Sequence, residues 1–261
     1  MIVALKGKKA LVGGSSAGIG KAIAQQLAES GASVTLMSRN KAKLKSVLAN
    51  LATSQGQVHQ YLVVDFTDFE TYKKIISTYF EHNYVDVLVN NTQGPPAGDP
   101  LEKDIADYQN AFDLLFKTTL YTTELALKHM RKNNWGRVIN VASVSVKEPI
   151  SYLALSNTIR AAVTTWAKSL ATAVGQNKIT VNSILTGYFD TDRITQLNAK
   201  KAKQLGITED EVLKDMQSKV PLKRIGDPKE YGYLVAFLAS DRAAYITGTN
   251  IPIDGGLLKS M

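Results

Sequence analysis

The sequence predicts one α/β domain, a doubly wound parallel sheet of seven strands with helices on both faces. Three observations predict it. Short apolar runs alternate with segments of helical period along the whole chain, in the order strand, helix, strand, helix. The first run, Ala10-Leu11-Val12, passes through a glycine-rich turn directly into an amphipathic segment carrying Ile19, Ile23 and Leu27 on one face. No linker, repeat or low-complexity stretch divides the 261 residues. Right-handed crossovers then fold the alternation into a single sheet.

That turn reads Gly13-Gly14-Ser15-Ser16-Ala17-Gly18-Ile19-Gly20, with the spacing Gly14-x-x-x-Gly18-x-Gly20. Glycines let the backbone turn tightly and approach a pyrophosphate, and the free N–H groups of the helix start then face the anion. Gly14, Ser15, Ser16, Gly18, Ile19 and Gly20 are therefore candidate cofactor contacts. Gly31 is placed to cap the first helix. Ser33 to Met37 reads as the second strand, followed by Ser38 and Arg39. A carboxylate here would bind a ribose 2′-hydroxyl and repel a 2′-phosphate. Ser38 and Arg39 instead favour NADP(H) over NAD(H), with Arg39 as the phosphate's partner.

Lys41 to Ala52 is a helical segment, with Leu44, Val47, Leu48 and Leu51 on one face. Val58 to Val64 is the third strand, ending at Asp65. Thr67 or Asp68 then caps a helix through Ile75, Ile76, Tyr79 and Phe80. Val85 to Val89 is the fourth strand, running into the loop Asn90 to Pro96 at the strands' carboxyl edge. Open parallel sheets bind ligands at that edge. A long helix spans about Ile105 to Lys132, Trp135-Gly136-Arg137 reads as a turn, and Val138 to Val141 is the fifth strand, ending at Ala142-Ser143. A second long helix runs from about Ser151 to Val174. Thr180 to Leu185 is the sixth strand, and Thr186 to Val220 is a polar, partly helical insertion. Asp227-Pro228 starts a helix reaching Ala239. Ile251 to Ile253 is the seventh strand, closed by Asp254-Gly255-Gly256.

Composition narrows the function. The chain has no cysteine, which excludes disulfides, thiolate metal sites and cysteine nucleophiles. His59, His82 and His129 are dispersed and show no metal-ligand spacing. No apolar run is long enough to span a membrane, and the N-terminus is charged too early for a secretory signal. A soluble cytoplasmic protein is expected. The net charge of +8 is scattered and follows no nucleic-acid motif, so no nucleic-acid partner is expected.

Several runs together resemble the short-chain dehydrogenase/reductase family, of the type that includes 3-oxoacyl-carrier-protein reductases. They are Gly14-x-x-x-Gly18-Ile19-Gly20, Asp65, Asn90-Asn91, Ser143, the tail Pro221 to Pro228, Phe237-Leu238-Ala239-Ser240-Asp241, and Ile246-Thr247-Gly248 with Asp254-Gly255-Gly256. The resemblance covers essentially the whole chain. It implies a Rossmann fold, with Asp65 near the adenine, Asn91 supporting the strand beside the cofactor, and Thr191 bonding the nicotinamide carboxamide. It also implies that about Ile194 to Val220 forms a mobile lid over the substrate. It further implies a homotetramer or homodimer.

The family's chemistry uses serine, tyrosine and lysine, supported by an asparagine. Ser143 fits the serine. Ser156 stands where the tyrosine is expected, Arg160 where the lysine is expected four residues on, and Leu115 where the asparagine is expected. A serine without an adjacent base is a poor acid, and arginine cannot trade a proton. Arg160 can still hold ribose hydroxyls or stabilise a developing alkoxide. Tyr152, four residues before Ser156, is a further candidate acid. The leading expectation is an NADP-preferring oxidoreductase acting on a small carbonyl or alcohol substrate through Ser143, Ser156, Arg160 and Tyr152. The alternative is an NADP-binding protein that has lost catalysis.

Overall fold

A computed structural model describes residues 3–260. It contains the doubly wound parallel sheet, with strands β1 (Lys9–Gly13), β2 (Ser33–Ser38), β3 (Gln60–Val63), β4 (Val87–Asn90), β5 (Gly136–Val141), β6 (Ile179–Thr186) and β7 (Asn250–Ile253). The order across the sheet is β3-β2-β1-β4-β5-β6-β7, and every neighbouring pair is parallel.

Both faces of the sheet are covered, which explains why the strands read as continuous apolar runs. The pleat sends alternate residues to opposite cores. Ala10 and Val12 of β1, with Val87 and Val89 of β4, meet α1 (Gly18–Glu29), α2 (Lys41–Leu48) and α9 (Pro228–Ala239). Leu11, Leu88, Val138 and Val181 meet the other layer, formed by α3 (Phe69–His82), α4 (Ile105–Phe112), α5 (Thr118–Lys132) and α6 (Ala154–Val174).

The structure corrects several expected boundaries. Gly136 and Arg137 belong to β5 rather than to a turn. Gly136 pairs with Ile179, and a Cβ there would lie 2.5 Å from Met130 Sδ. Arg137 is 2% exposed; its guanidinium donates to the Ser240 and Lys178 carbonyls and pairs with Asp241 at 3.2 Å. The helix expected from Ile105 to Lys132 is broken by a π turn at Asp113–Lys117. The helix expected from Ser151 begins at Ala154, α2 stops at Leu48, and β3 is shorter than Val58 to Val64 because His59 Nδ1 accepts the Val34 N–H. Asp68, not Thr67, caps α3. Ser30 ends α1, and Gly31 follows it at φ +99°.

The polar insertion folds as two helices, α7 (Asp192–Leu205) and α8 (Glu209–Lys219), around Ala202, Val212 and Met216. Thr191 caps the first, and a Thr208–Glu211 capping box starts the second. Among the described residues, no helix is long and apolar enough to cross a membrane. None of them form a cluster of three or more side chains suited to a metal ion.

Candidate active site

The strand order reverses between β1 and β4, so their carboxyl ends open a crevice. The glycine turn lies in it, pressed against Asn91. A Cβ on Gly13 would stand 2.2 Å from the Asn91 carbonyl oxygen, and one on Gly20 would stand 2.2 Å from that of Gly14. Gly14 and Gly18 have φ of +56° and +52°, which favours glycine. Asn91 Nδ2 donates to the Gly13 carbonyl at 3.0 Å and so fixes the turn to the end of β4. Ser15 is fully buried. Its hydroxyl accepts the Met37 N–H at 2.9 Å, so it shapes the turn from behind. Ser16 and Ile19 are partly exposed where the turn runs into α1, and Ile19 packs against the core. Residue Ala17 at the start of α1 offers no side-chain cap, which leaves the first N–H groups of a 12-residue helix without a side-chain acceptor.

At the other end of the crevice stand Ser38, Arg39 and Asp65. The Ser38 hydroxyl is buried without a hydrogen-bond partner. Arg39 is 58% exposed and faces Asp65 at 4.0 Å. Partial burial works against ionisation of Asp65, but the hydroxyl and N–H of Thr67, at 2.7 and 2.9 Å, with the Arg39 charge, hold its carboxyl below the usual range.

The chemistry-bearing residues gather at the carboxyl ends of β5 and β6. Ser143 follows β5, and its Oγ accepts the Ser145 N–H at 3.1 Å, leaving its own proton free to donate. Ser156 and Arg160 lie one turn apart on α6. Arg160 Nε donates to Ser156 Oγ at 3.3 Å, and its Nη1 donates to the Val141 carbonyl. Burial lowers the Arg160 pKa from its ordinary value, and the neighbouring Tyr231 opposes that shift. The guanidinium stays charged at any working pH. Leu115 sits in the π turn and lines the same cleft as Arg160, with Asn90, Thr119 and Asn140. Leu115, Ser156 and Arg160 thus converge.

Tyr152 is placed otherwise than expected. It precedes α6, so it is not one helical turn below Ser156. It is 49% exposed, and its carbonyl accepts the Gly98 N–H at 2.8 Å. Burial pushes the Tyr188 phenol up, and the nearby Tyr152 adds to the shift, so Tyr152 neighbours the β6–α7 connection. Thr191 stands over the glycine turn, its Cγ2 3.2 Å from where a Gly18 Cβ would be, and its hydroxyl accepts the Ile194 N–H. Sequence reasoning missed Asn140 and Thr119. The signal for Asn140 was the pleat, because it shares a strand face with Val138 and points to the α5–α6 side.

Residues 14–258 match the family profile described as enoyl-(acyl carrier protein) reductase. Over 265 residues the chain is 33% identical to the NADPH-dependent reductase BacG of Bacillus subtilis, spanning 97% of this chain and 99% of that protein. The chain belongs to the short-chain dehydrogenase/reductase family. Two further similarities bear on the site. The chain is 29% identical to the 3-oxoacyl-[acyl-carrier-protein] reductase FabG of Aquifex aeolicus, over 98% of this chain and 100% of that protein. It superposes with a TM-score of 0.93, at 28% identity and full coverage of both chains, on the L-sorbose reductase of Gluconobacter frateurii in complex with NADPH and L-sorbose.

Proposed function

We propose that this protein is an NADP(H)-dependent oxidoreductase that interconverts a small carbonyl and its alcohol. The observation that carries the reading is the glycine cradle: a Cβ at Gly13 or Gly20 would collide with backbone, and the uncapped start of α1 lies beside them. The residues present fit NADP(H). Gly14, Ser16, Gly18, Ile19 and Gly20, with Ser15 behind them, would hold the pyrophosphate. The unpartnered Ser38 hydroxyl and Arg39 would take the 2′-phosphate, and Asp65 would flank the adenine. Asn91 would brace the turn, Thr191 would meet the nicotinamide amide, and Arg160 would steady the nicotinamide ribose. Two of the similar proteins named above are NADPH-dependent or solved with NADPH.

When bound, the nicotinamide supplies or takes up the hydride at the carbon of the carbonyl or alcohol. This chain's residues handle the oxygen. Ser143, with its proton uncommitted, orients the carbonyl. Ser156 receives an N–H from a cation, which favours its alkoxide form and makes its hydroxyl a better proton donor than an isolated serine. Arg160 adds a fixed positive charge where negative charge grows. Tyr152, exposed beside Tyr188, is retained as a weaker candidate donor. The pair α7–α8 would serve as a lid at about 194–220, and 3-oxoacyl thioesters or small ketones are the substrate classes to try. The working assembly would be a homotetramer or homodimer. No feature of the similar proteins favours a cofactor-binding protein without catalysis.

The reading is tested by titrating the protein with NADPH and NADH, followed by NADPH oxidation with a short 3-oxoacyl thioester and a panel of ketones. Tighter NADPH binding and turnover of at least one carbonyl are expected. Absence of saturable NADPH binding would overturn it.

A further inference from the structure

The segment after β7 folds back beside the carboxyl ends of β5 and β6, and its contacts run between two parts of the candidate site. Gly255 and Gly256 reverse the chain at φ of +64° and +86°. The Asp254 carboxylate secures the reversal by accepting the Gly256 and Leu258 N–H groups at 2.9 and 2.8 Å. Leu257 and Leu258 then pack with Ala142, Val144, Val146 and Leu185. One Glu148 carboxylate oxygen, Oε1, accepts the Lys259 and Ser260 N–H groups at 2.8 and 2.7 Å. Hydrogen bonds to a carboxylate are charge-assisted, and these two hold the Glu148 carboxyl below its usual range. Among the described residues, Glu148 supplies the only side-chain hydrogen bonds that reach the segment from outside it.

Glu148 ends the turn that presents Ser143. Ser143 caps a single 3₁₀ turn over Val144–Val146, its carbonyl accepting the Val146 N–H at 3.1 Å and its Oγ that of Ser145. The Glu148 N–H closes on the Val144 carbonyl at 3.1 Å. The other end of the segment meets the foot of the α7–α8 pair. The Gly255 carbonyl accepts the Leu222 N–H at 3.3 Å, and a Cβ on Gly255 would stand 2.7 Å from Val220, which ends α8. Residues 254–260 therefore touch the Ser143 turn through Glu148 and the foot of α8 through Gly255.

We propose that Glu148 is a positioning residue, which anchors residues 257–260 and thereby couples the foot of the α7–α8 pair to the turn that aims the Ser143 hydroxyl. The inference rests on the reading of Ser143 as the residue that orients the carbonyl. Without the carboxylate, Leu257 and Leu258 lose their anchor, and Ala142 and Val144, on either side of Ser143, lose the cover that fixes the turn. Glu148 makes no hydrogen bond to any residue proposed to hold NADP(H). Its loss should therefore be felt in rate rather than in cofactor affinity.

Glu148→Ala breaks the anchor, and Glu148→Gln keeps an oxygen that can accept the same N–H groups. The native protein and both variants would be compared by amide hydrogen exchange read residue by residue, by NADPH titration and by steady-state reduction of the carbonyl panel. In E148A, exchange at Val146, Glu148 and Leu222 should rise at least about tenfold while that of the β1 amides stays unchanged. Its kcat should fall at least about tenfold with the NADPH dissociation constant unchanged. E148Q should recover most of both. Faster exchange confined to 257–260, an unchanged kcat, equal losses of kcat and NADPH affinity, or an E148Q no better than E148A would overturn the proposal. A native protein that reduces no carbonyl would remove the reductase reading instead, and exchange at Val146 and Leu222 would then decide the coupling alone.

Discussion

Replacing Arg39 with leucine should weaken NADPH binding about tenfold and leave NADH binding unchanged. A hydrogen bond to a charged group contributes about 1.5–3 kcal/mol, and about 1.4 kcal/mol is a factor of ten in affinity. Arg39 is 58% exposed, so solvent screens its contact with a 2′-phosphate and places the loss at the low end of that range. Two neighbours act in opposite directions. Without Arg39, the ionised Asp65 would face the phosphate alone and add repulsion. The Ser38 hydroxyl, unpartnered in the protein, would keep one contact. The assay is a fluorescence titration of both nucleotides at low and moderate salt. The native preference for NADPH should shrink as salt rises, because an exposed ion pair is screened, and R39L should lose that dependence. Equal losses for NADPH and NADH, or no loss, would refute Arg39 as the phosphate's partner.

Three further outcomes follow from the same geometry. Gly13→Ala forces a Cβ to 2.2 Å from a backbone oxygen of Asn91, and should cost about 3 kcal/mol, seen as a lowered urea midpoint together with weaker nucleotide binding; an unchanged midpoint would contradict the cradle. Ser143→Ala should lower kcat about 10²–10³-fold while leaving the NADPH dissociation constant unchanged, and a change in binding alone would assign Ser143 to the cofactor. Glu230 is held down to about 2 by its Arg224 partner at 2.6 Å and by the Asp227 N–H. Its folded pKa is depressed, so its stabilisation is present above the ordinary carboxylate range and is lost as pH falls towards 2. Glu230 is substantially exposed, which limits the effect to under about 1 kcal/mol. Melts of native protein and Glu230→Gln should differ at pH 7 and converge at the acid end.

The layered fold was legible because parallel strands buried on both faces are apolar runs, and because the turn after β1 carries the spacing Gly14-x-x-x-Gly18-x-Gly20; the steric need for glycine at Gly13 emerged only from its approach to Asn91. What misled was local chemistry answered from far away in the chain. Gly136 and Arg137 read as a turn, yet Arg137 finds its partners at Ser240 and Asp241, over 100 residues on. The break at Asp113–Lys117 leaves no trace in helix propensity. Tyr152 was placed by counting in fours, which fails where the helix has not begun. At the site, counting by the spacing of the resembled family singled out Leu115, Ser156 and Arg160, which the structure brings to one place. The direction of the Arg160 side chain, towards Val141 and Ser156, was not legible, because a long flexible side chain takes its direction from acceptors that only the assembled sheet provides. Asn140 was missed for the same reason, since its orientation follows from Thr123 and Asn90 on other elements.

The central claim is that the site around Ser143, Ser156 and Arg160 transfers hydride, and a single-turnover experiment with NADPH deuterated at the transferring carbon tests it most directly. The native protein would be run beside Leu115→Asn/Ser156→Tyr/Arg160→Lys on the same carbonyl panel, and the alcohol products weighed by mass spectrometry. Deuterium on the carbinol carbon of at least one product from the native protein is the expected result. Label that stays on saturably bound cofactor in the native protein, while the triple variant delivers it to substrate, would contradict the claim.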